Sequence, residues 1–502
     1  MISVRGLMIG LYYYIINNGK TDISNSLIYS TLGSNPDFVN RINKDTSSKY
    51  RIKGFLTTNP DKVGHVIHGQ RVYYANTSEE KLKSVIKRNS ISTVIFTSNK
   101  LFKRAQGNLV DFCMRNHISM CMVGEIQEID EKTGLPQRQI KPIQIEDLLD
   151  REEIVVDTES ISKEIKGRVV MVTGGAGSIG REISIQVALY GVKQLILFDI
   201  AETPLHNIQL EMTRLYPNVD VKFILGDVRS RQRVERIIEK YKPTIIFHAA
   251  AYKHVPMIEM NPCEGVMTNV WGTVNLAKRA IEGGVEKFVM VSTDKAVNPT
   301  NVMGASKRLA EMCVQSANSQ NKTEFITTRF GNVLGSNGSV IPLFKEQIAL
   351  GGPVTVTHPE IIRYFMSIPE ACRLVLQAAT MGHAGEILVF DMGSPEKIVD
   401  LARKMIKLSG FEPDVDIKIK YTGLRPGEKL YEELFSTGEE AKTTHKKINI
   451  AKCRSVDIES VNSGVRRLAI SARNMDIEQT VRIMKELVPE FKSKNSEFER
   501  FD

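Results

Sequence analysis

The chain is poor in the residues that hold small or metal-dependent proteins together. Its 502 residues include six cysteines and one tryptophan, and the cysteines are scattered, without a Cys-x-x-Cys pair or a histidine cluster at ligand spacing. Disulfide frameworks and structural zinc sites need such patterns. We therefore predict no metal site and no disulfide framework, and we expect a reducing, cytoplasmic setting.

Long apolar runs are missing as well. Leu7–Ile16 is apolar and aromatic, but it has only about half of the roughly 20 residues that a membrane span needs, and no small-residue cleavage site follows it. Residues 1–20 are therefore interpreted as an apolar stub. The stub is either a buried tail or the remnant of a membrane segment, and the second interpretation would bring the protein to the cytoplasmic face of the inner membrane.

Blocks of positive charge are absent too, although the net charge is +9 and the isoelectric point is about 9.0. Without a Lys/Arg block or aromatic–basic interleaving, nucleic acid is not expected as a partner. The basic balance suits an anionic lipid or a phosphorylated small molecule instead. A composition of 42% hydrophobic and 25% charged residues is that of a folded protein, and the length predicts two or three domains.

Residues 21–135 alternate short β-rich runs with helical spacing, which predicts a small α/β domain with a parallel sheet. The predicted strands are Leu27–Thr31, Thr93–Thr97 and a run near Ser119–Val123, and the predicted helices are Glu79–Asn89 and Lys103–Asn116. The first strand leads into Ser30–Pro36, which lacks the glycine spacing of a dinucleotide loop. We therefore predict a Rossmann-like domain without a cofactor, followed by a polar linker over 136–167 with a short helix at Ile145–Leu149.

A second domain, predicted over 168–435, begins with a glycine-rich turn. The β-branched run Arg168–Val172 is followed by Thr173-Gly-Gly-Ala-Gly-Ser-Ile-Gly180 and by a helix that ends near Tyr190. In such a unit the glycines allow a tight turn, the close approach of a pyrophosphate and helix–strand packing, while the helix N-terminus supplies N–H donors. A dinucleotide is therefore predicted to bind the backbone of Gly174, Gly177, Ser178, Ile179 and Gly180.

An acidic residue follows the next strand. Asp199 ends the run Gln194–Phe198, where a carboxylate can accept hydrogen bonds from the adenosine ribose. Because this carboxylate would repel a 2′-phosphate, we predict NAD, with NADP as the second choice. Further cofactor-binding candidates lie at later strand ends: Asp227, Val228, Ala249 and Ala250. Repeated strand–helix units predict a doubly wound parallel sheet.

The stretch Met290–Lys307 carries the predicted chemistry. An apolar strand delivers Thr293, Asp294 and Lys295 to its carboxyl end, and a helix that starts near Gly304 carries Lys307. Ligands bind at such strand ends, and a hydroxyl, a carboxylate and an ammonium group side by side can share proton transfer. The alternative is a capping Thr-Asp pair with a solvated lysine. The glycine loop upstream favours proton transfer.

The glycine loop resembles that of the extended short-chain dehydrogenase/reductase superfamily, in which it accompanies a Tyr-x-x-x-Lys pair. Here the spacing reads Met303-Gly-Ala-Ser-Lys307, and a thioether has no proton to exchange. Other motifs resemble the nucleotide-sugar 4,6-dehydratases, most closely the membrane-anchored UDP-N-acetylglucosamine type, which also has Met at this position. These motifs are His248–Pro256, Ser292–Pro299, Arg329–Ser339 and Gly423–Leu430.

This resemblance implies an α/β fold: a doubly wound parallel-sheet Rossmann catalytic domain with a smaller C-terminal substrate region, preceded by a Rossmann-like N-terminal domain. It also implies dehydration of a UDP-sugar, with NAD reduced and reoxidised in one turnover. Thr293 would bind the 4-hydroxyl, Asp294 would protonate the leaving 6-hydroxyl, and Lys295 would take the C5 proton. Lys307 would bind the nicotinamide ribose, and Met303 would fill the position of the missing tyrosine.

The substrate is expected to lie against the part of the chain after about residue 330. Asn332 lies in a loop rich in Gly and Ser, Arg363 and Arg425 are candidates for bidentate phosphate contacts, and Glu428 can accept from a ribose hydroxyl. Lys253 is a further substrate-binding candidate. Residues 436–502 are predicted to form a helical extension, for which the sequence indicates no chemistry. We also expect a homo-oligomer.

Three functions stay open at this point. The first is a lyase of the 4,6-dehydratase type. The second is a nucleotide-sugar 4-epimerase, which shares the fold and the cofactor but relies on the tyrosine that Met303 replaces. The third is a non-catalytic nucleotide-sensing module, which the missing tyrosine makes conceivable.

Overall fold

The structure is a computed structural model, and it divides the chain into two compact units. Unit 1 comprises residues 1–150 and 404–416, and unit 2 comprises residues 151–403 and 417–502. The residues that the structure describes are 23–30, 49–105, 107–129, 136–143, 147, 154–318, 322–435, 440–443, 445–451 and 458–502. No helix within these ranges is long and apolar enough to cross a bilayer.

Three sequence predictions fall largely outside the described ranges. They are the stub Leu7–Ile16, the loop Ser30–Pro36 beyond its first residue, and the short helix Ile145–Leu149 apart from Asp147.

Unit 1 holds a mostly parallel seven-stranded sheet. Its strands are β1 (Ser24–Tyr29), β2 (Tyr50–Thr57), β3 (Val66–Ile67), β4 (Gln70–Tyr74), β5 (Thr93–Phe96), β6 (Ser119–Ile129) and β7 (Pro136–Pro142). Their order across the sheet is β3-β4-β2-β1-β5-β6-β7, with the two edge strands antiparallel to their neighbours. The helices are α1 (Glu79–Asn89), α2 (Asn99–Ala105) and α3 (Leu109–Arg115).

The predicted alternation of strands and helices in unit 1 is confirmed, and two details of the prediction are wrong. The predicted helix Lys103–Asn116 is two helices, because Gly107 between them has φ +88°, a conformation that a helix cannot contain. The predicted linker over 136–167 begins with a strand, since β7 pairs with β6 at the sheet edge.

Unit 2 is built on a nine-stranded sheet with three small two-stranded sheets beside it. Its strands are β8 (Val169–Thr173), β9 (Gln194–Asp199), β10 (Val221–Leu225), β11 (Ile245–His248), β12 (Lys287–Thr293), β13 (Glu324–Phe330), β14 (Asn332–Val333), β15 (Val354–Val356), β16 (Ile362–Arg363), β17 (Phe365–Met366), β18 (Ile387–Phe390), β19 (Glu396–Lys397), β20 (Ile419–Tyr421), β21 (Glu440–Lys442) and β22 (Ile448–Ala451). The large sheet runs β10-β9-β8-β11-β12-β13-β18-β22-β21.

Helices cover both faces of this sheet. They are α4 (Thr158–Ile165), α5 (Ser178–Leu189), α6 (Glu202–Leu215), α7 (Arg231–Tyr241), α8 (Val255–Met260), α9 (Pro262–Gly265), a π-helix (Val266–Trp271), α10 (Gly272–Glu282), α11 (Val302–Ala317), α12 (Val340–Ala349), α13 (Ile368–Met381), α14 (Ile398–Leu408), α15 (Ile458–Arg473) and α16 (Ile477–Leu487). α4 ends the segment that the sequence predicted to be a linker, so this segment is not structureless.

The strand order of unit 2 is that of a doubly wound fold. Seven strands from β10 to β18 are parallel, and β8 lies where the chain direction across the sheet reverses. Ligands bind at the carboxyl ends of the strands around such a switch point. The predicted doubly wound sheet is therefore confirmed, and it extends beyond the five predicted strands by β13, β18 and the antiparallel pair β22 and β21.

Near-continuous apolar runs in the central strands follow from burial on both faces. Val170 and Val172 of β8 pack in the core on one face, whereas Met171 packs in the core on the other face, because successive side chains of a strand point to opposite sides.

The residues after 435 are a correction to the prediction. They are more than a helical extension, since β21 and β22 join the large sheet before α15 and α16 pack with α11.

Candidate active site

The predicted glycine loop joins β8 to α5. Gly174 has φ +67°, and a Cβ there would lie 2.6 Å from the backbone nitrogen of Ala250. A Cβ on Gly180 would lie 2.0 Å from the carbonyl oxygen of Gly174. Gly177 is the N-cap of α5 and no side chain caps this helix, so its first N–H groups are available to an anion.

The residues after the glycine loop suit the adenosine side of a dinucleotide. The Asp199 carboxylate accepts hydrogen bonds of 2.9 Å from the backbone nitrogens of Ala176 and Ala201, which fixes it at the end of β9. Asp227 pairs with Arg229 at 2.7 Å. Since each carboxylate oxygen has two lone pairs, Asp199 still has acceptor capacity for ribose hydroxyls. Val228, by contrast, is buried and packs against Gly272.

The end of β12 brings the predicted proton-transfer residues together. The Thr293 hydroxyl donates to Asp294 Oδ1 at 2.9 Å, and Lys295 Nζ donates to the same oxygen at 2.9 Å. Lys295 Nζ also donates to Asn332 Oδ1 at 2.9 Å. Asp294 Oδ2 is buried and has no hydrogen-bond partner among the described residues. Thr293 does cap the turn that follows, by accepting from the Lys295 backbone, but Lys295 is not a solvated lysine.

Helix α11 carries the next two predicted residues. Asn301 caps it by accepting from the Gly304 backbone at 2.7 Å. Met303 is 2% exposed and lines a cavity together with Thr293 and Lys295. Lys307 Nζ donates to the Val291 carbonyl at 2.8 Å, and burial lowers the pKa of Lys307 to about 8, although the negative charge of Glu311 opposes this effect.

A buried charge network that the sequence analysis missed supports this strand end. The Glu311 carboxylate on α11 accepts from Ser292 Oγ at 2.6 Å and from Arg329 Nη2 at 2.7 Å, and it also pairs with Arg308. Burial raises the pKa of Glu311, but Arg329, Arg308 and Ser292 together outweigh burial and hold this pKa below its usual range. Glu311 lies one helical turn after Lys307 and therefore on the same face of the helix. A charged residue on this otherwise apolar face was the sequence signal that could have identified Glu311.

His248 at the end of β11 has a defined tautomer. The Thr273 hydroxyl donates to the Asn269 carbonyl at 2.7 Å, so its oxygen accepts from His248 Nε2 at 2.9 Å. His248 Nδ1 then accepts from the Thr173 hydroxyl at 2.7 Å. This neutral ring ties β8 and β11 to the start of α10, directly behind the glycine loop.

We expect His248 to make stability fall in acid. Burial, with a smaller contribution from Lys307, lowers the pKa of His248 to about 3, against 6.5 for an ordinary histidine. Between these two pH values the unfolded chain binds a proton at His248 that the folded chain does not. The free energy of unfolding is therefore unaffected by His248 above about pH 6.5. Below that pH it falls by up to about 1.4 kcal/mol per pH unit. Urea unfolding at several pH values would show a shallower acid slope in His248→Asn.

The exposed His383 offers a matched control for this measurement. His383→Asn should keep the wild-type dependence of the unfolding free energy on pH. The comparison uses slopes rather than absolute stabilities, because the His248 variant also loses two buried hydrogen bonds. An unchanged acid slope in His248→Asn would contradict the assigned protonation state.

The two arginines predicted on the substrate side, Arg363 and Arg425, differ in burial and in hydrogen-bond partners. Arg425 is exposed and pairs with Glu428 at 3.0 Å. Arg363 is buried, and its Nη1 and Nη2 donate to the carbonyls of Ile362 and Lys429 at 2.7 and 2.8 Å, so it also supports the Lys429 loop. Both arginines line the cavity, and their phosphate contacts stay predictions.

Lys253 is the remaining substrate candidate. Its Nζ donates to Ser336 Oγ at 3.4 Å, and burial, followed by the charge of Lys295, lowers its pKa. Gly338 in the same loop has φ +68°, and a Cβ there would lie 2.5 Å from the His254 ring. The loop 336–338 therefore approaches the Lys253–His254 segment closely, as a backbone cradle for an anion would.

The C-terminal segment, for which the sequence indicated no chemistry, contacts the loop between β12 and α11. Lys492 N and Lys494 N donate to the carbonyls of Pro299 and Thr300 at 3.1 and 3.2 Å. Gly427 N donates to the Lys494 carbonyl at 2.7 Å, and the Thr300 hydroxyl donates to the Gly427 carbonyl at 3.0 Å. The loop before α11 is thus bonded both to the chain end and to the loop that carries Arg425 and Glu428.

One cavity of about 990 Å³ joins these parts. Its walls include the backbone of the glycine loop, the substrate-side loop and, of the proton-transfer residues, Thr293 and Lys295. The lining residues predicted from the sequence are Gly174, Gly177, Ser178, Ile179, Gly180, Ala249, Lys253, Thr293, Lys295, Met303, Lys307, Asn332, Arg363, Arg425 and Glu428. Asp294 is not among them: it is 1% exposed and lies behind Thr293 and Lys295, to which it is hydrogen-bonded. Asp199, Asp227, Val228 and Ala250 lie at the strand ends beyond these walls. The cavity is large enough for the reactive half of a dinucleotide beside a sugar nucleotide.

The doubly wound sheet, the glycine loop at its switch point and the Thr293–Lys295 cluster at the end of β12, two strands away, define a Rossmann-fold enzyme of the extended short-chain dehydrogenase/reductase class. Within that class, the chain belongs to the polysaccharide biosynthesis protein family, whose family model matches residues 170–453.

Relatives of known name agree with this assignment. The capsular polysaccharide biosynthesis protein CapD of Staphylococcus aureus is 46% identical over 362 residues, which cover 72% of this chain and 60% of CapD. The UDP-glucose 4-epimerase of Rickettsia canadensis is 37% identical over 282 residues, which cover 55% of this chain and 80% of the epimerase. The X-ray structure of Pen from Bacillus thuringiensis matches with a TM-score of 0.54 at 35% identity, covering 57% of this chain and 88% of Pen.

Proposed function

We propose that the protein is a nucleotide-sugar 4,6-dehydratase that converts UDP-N-acetylglucosamine to UDP-2-acetamido-2,6-dideoxy-4-hexulose for polysaccharide or glycan biosynthesis. The observation that carries the proposal is the hydrogen-bonded set Thr293, Asp294 and Lys295 beside Met303. An enzyme that only oxidises and reduces C4 needs one proton-transfer group there, whereas dehydration needs further groups for C5 and for the 6-hydroxyl.

The glycine loop fits NAD. The space beside Gly177 and the uncapped start of α5 suit a pyrophosphate, and Asp199 suits a 2′-hydroxyl better than a 2′-phosphate. The residues that would hold the cofactor are Gly174, Gly177, Ser178, Ile179, Gly180, Asp199, Asp227, Ala249, Ala250 and Lys307, with the buried Val228 forming the floor of the adenine side. When bound, NAD would take up the C4 hydrogen and return it to C6.

Thr293 and Asp294 provide a path for the proton of the 4-hydroxyl. In this proposal the sugar hydroxyl gives its proton to Thr293 Oγ1 while Thr293 passes its own proton to Asp294 Oδ1, along the existing hydrogen bond of 2.9 Å. Met303 cannot take this proton. Asp294, now protonated, then delivers this proton to the leaving 6-hydroxyl, so the departing water contains the proton that Thr293 passed on, while Thr293 keeps the proton of the 4-hydroxyl.

Lys295 is assigned the C5 proton. Two of the positions around its Nζ are held by Asp294 and Asn332, and the residue lines the cavity, so the third position is available for proton transfer. C5–H becomes acidic only after C4 is a ketone, so Lys295 acts second. Lys307 would bind the nicotinamide ribose, Lys253, Arg363 and Arg425 the diphosphate, and Glu428 the nucleotide ribose.

A 4-epimerase is the second candidate, because one relative carries the name UDP-glucose 4-epimerase. That reaction needs no base for C5, so it leaves Lys295 and the free Asp294 Oδ2 without a role. Incubation of the purified protein with UDP-N-acetylglucosamine, followed by mass spectrometry and NMR of the product, distinguishes the candidates. We expect a product lighter by one water. An isomer of unchanged mass would support the epimerase, and recovery of unchanged substrate would overturn both proposals.

A further inference from the structure

Glu432 is a cavity carboxyl group that the mechanism above leaves without a role. It follows the loop of Arg425 and Glu428, its side chain is 4% exposed, and it lines the same cavity as Lys295. Its closest ion-pair contact among the described residues joins Oε1 to Arg363 Nη2 at 3.8 Å, and none of the hydrogen bonds in that part of the chain reaches its carboxylate. A carboxylate so placed is costly unless it has a partner or a function.

The neighbouring Glu433 shows what a structural carboxylate in this segment does. Its Oε2 accepts from Lys429 Nζ at 3.1 Å and from Asn298 Nδ2 at 3.2 Å, and its side chain is largely outside the core. Glu433 is not among the cavity-lining residues. The two adjacent glutamates therefore differ in direction, and only Glu432 faces the proton-transfer cluster.

The protonation of Glu432 responds to the catalytic pair. Burial raises the pKa of the Glu432 carboxyl; the charge of Lys295 lowers it, and the charge of Asp294 raises it. Lys295 is the strongest of the neighbouring charges. The titratable and charged groups that face Glu432 are Asp294, Lys295, Arg363 and Lys429, with Glu428 on the other side of Arg363.

Proton counting requires an acceptor besides Asp294. In the proposed reaction Asp294 receives the proton that Thr293 passes on when the 4-hydroxyl is deprotonated, and it must keep this proton for the 6-hydroxyl. Lys295, when paired with an ionised Asp294, is an ammonium group and cannot accept the C5 proton. The amide oxygen of Asn332, its other partner, is not a base at neutral pH. The ammonium proton of Lys295 therefore needs another destination inside the cavity.

We propose that Glu432 is this destination: it takes one proton from Lys295 before C5 is deprotonated and returns it afterwards. The inference rests on the proposed dehydratase function. No hydrogen bond or ion pair joins Glu432 to Lys295 within the described residues, so the proposed proton transfer runs through water in the cavity that both residues line. Glu432 thus acts through Lys295, by accepting a proton from the Lys295 ammonium group and returning it.

The sequence of bond changes balances. An N–H bond of Lys295 breaks and an O–H bond forms on Glu432. The C5 proton then bonds to the neutral Lys295 nitrogen, the electrons of the C5–H bond form the C5–C6 double bond, and the C6–O6 bond breaks as Asp294 protonates the departing oxygen. After a hydrogen has returned to C6, Lys295 gives its proton to C5, and Glu432 gives its proton back to Lys295.

The test is Glu432→Gln, which keeps the shape and removes the proton acceptor. We expect kcat at neutral pH to fall about 100-fold, while KM for UDP-N-acetylglucosamine stays within about twofold. Because hydroxide must now take the Lys295 proton, the kcat of the variant should recover as the pH rises, and the pH optimum should move upward. Glu432→Asp should restore part of the neutral-pH rate.

Glu433→Gln is the matched control and should keep the wild-type pH profile. Wild-type kcat and pH profile in Glu432→Gln would overturn the inference while leaving the dehydratase proposal intact. A loss that is uniform at every pH, or accompanied by a large rise in KM, would indicate a merely structural role and also overturn it. A wild-type protein that forms no dehydrated product would overturn the proposed function and this inference together.

Discussion

Replacing Lys295 by alanine is expected to abolish dehydration of UDP-N-acetylglucosamine. Loss of a general base typically lowers a rate by about 10²–10⁴-fold, and here the remaining partners of Lys295, Asp294 and Asn332, offer no group that reaches C5 in its place. The measurement is product formation by mass spectrometry, together with the uptake of solvent deuterium at C5 by NMR. Both should disappear in Lys295→Ala.

Two comparisons separate this effect from general damage. Lys295→Met keeps most of the side-chain volume and should be equally inactive, since it lacks the amine. Lys278 is an exposed lysine on α10, and Lys278→Ala should keep full activity. Retained dehydration in Lys295→Ala would refute the role assigned to this residue and with it the proton path that we propose.

Replacing Gly180 by alanine is expected to empty the cofactor site. The added Cβ would lie 2.0 Å from the Gly174 carbonyl oxygen, so the glycine loop must move away from the start of α5 where the pyrophosphate is proposed to bind. A cost of about 1.4 kcal/mol already weakens binding tenfold, and a backbone clash exceeds that. The measurement is the amount of NAD that remains with the purified protein and the affinity for added NAD by calorimetry.

Gly167 provides the control for this substitution. It has φ +73° and nothing within 4 Å of a Cβ position, so Gly167→Ala introduces backbone strain of about 1 kcal/mol without filling any space. This variant should lose some stability and keep its NAD. Normal NAD binding in Gly180→Ala would contradict the proposed cofactor site.

The fold of unit 2 was predictable because its strands are buried on both faces. Runs such as Val169–Thr173 and Gln194–Asp199 are apolar throughout and separated by helical spacing, which is the pattern of parallel sheets. Short strands at or next to a sheet edge leave no such pattern. β3 and β4 in unit 1, and β21 and β22 near the chain end, were therefore missed. The pairing of β22 with β18 also joins residues distant in sequence. The interior strands β2 and β13 were missed as well.

The candidate site was predictable where its residues share a local motif. Thr293, Asp294 and Lys295 are consecutive, so their meeting at one strand end follows from the strand itself. The partners that orient them are remote: Asn332 reaches Lys295 from the loop after β13, and the backbone of Lys492 reaches the loop between β12 and α11 from the chain end. Such contacts depend on tertiary packing and have no spacing rule.

Arg363 and Arg425 differ in a way that the sequence could not show. Both line the cavity, and both stay predicted phosphate ligands. The guanidinium of the buried Arg363 already donates to backbone carbonyls, whereas Arg425 is exposed and pairs with Glu428. A single sequence does not reveal the burial of an arginine.

The most direct test of the account uses UDP-N-acetylglucosamine with deuterium at C4. If the protein is a 4,6-dehydratase, the product is lighter than the substrate by one water and carries the deuterium in its C6 methyl group, because the C4 hydrogen is taken up and returned within one turnover. A product of unchanged mass with deuterium still at C4 and inverted configuration at C4 by NMR would contradict the dehydratase assignment and establish epimerisation in its place.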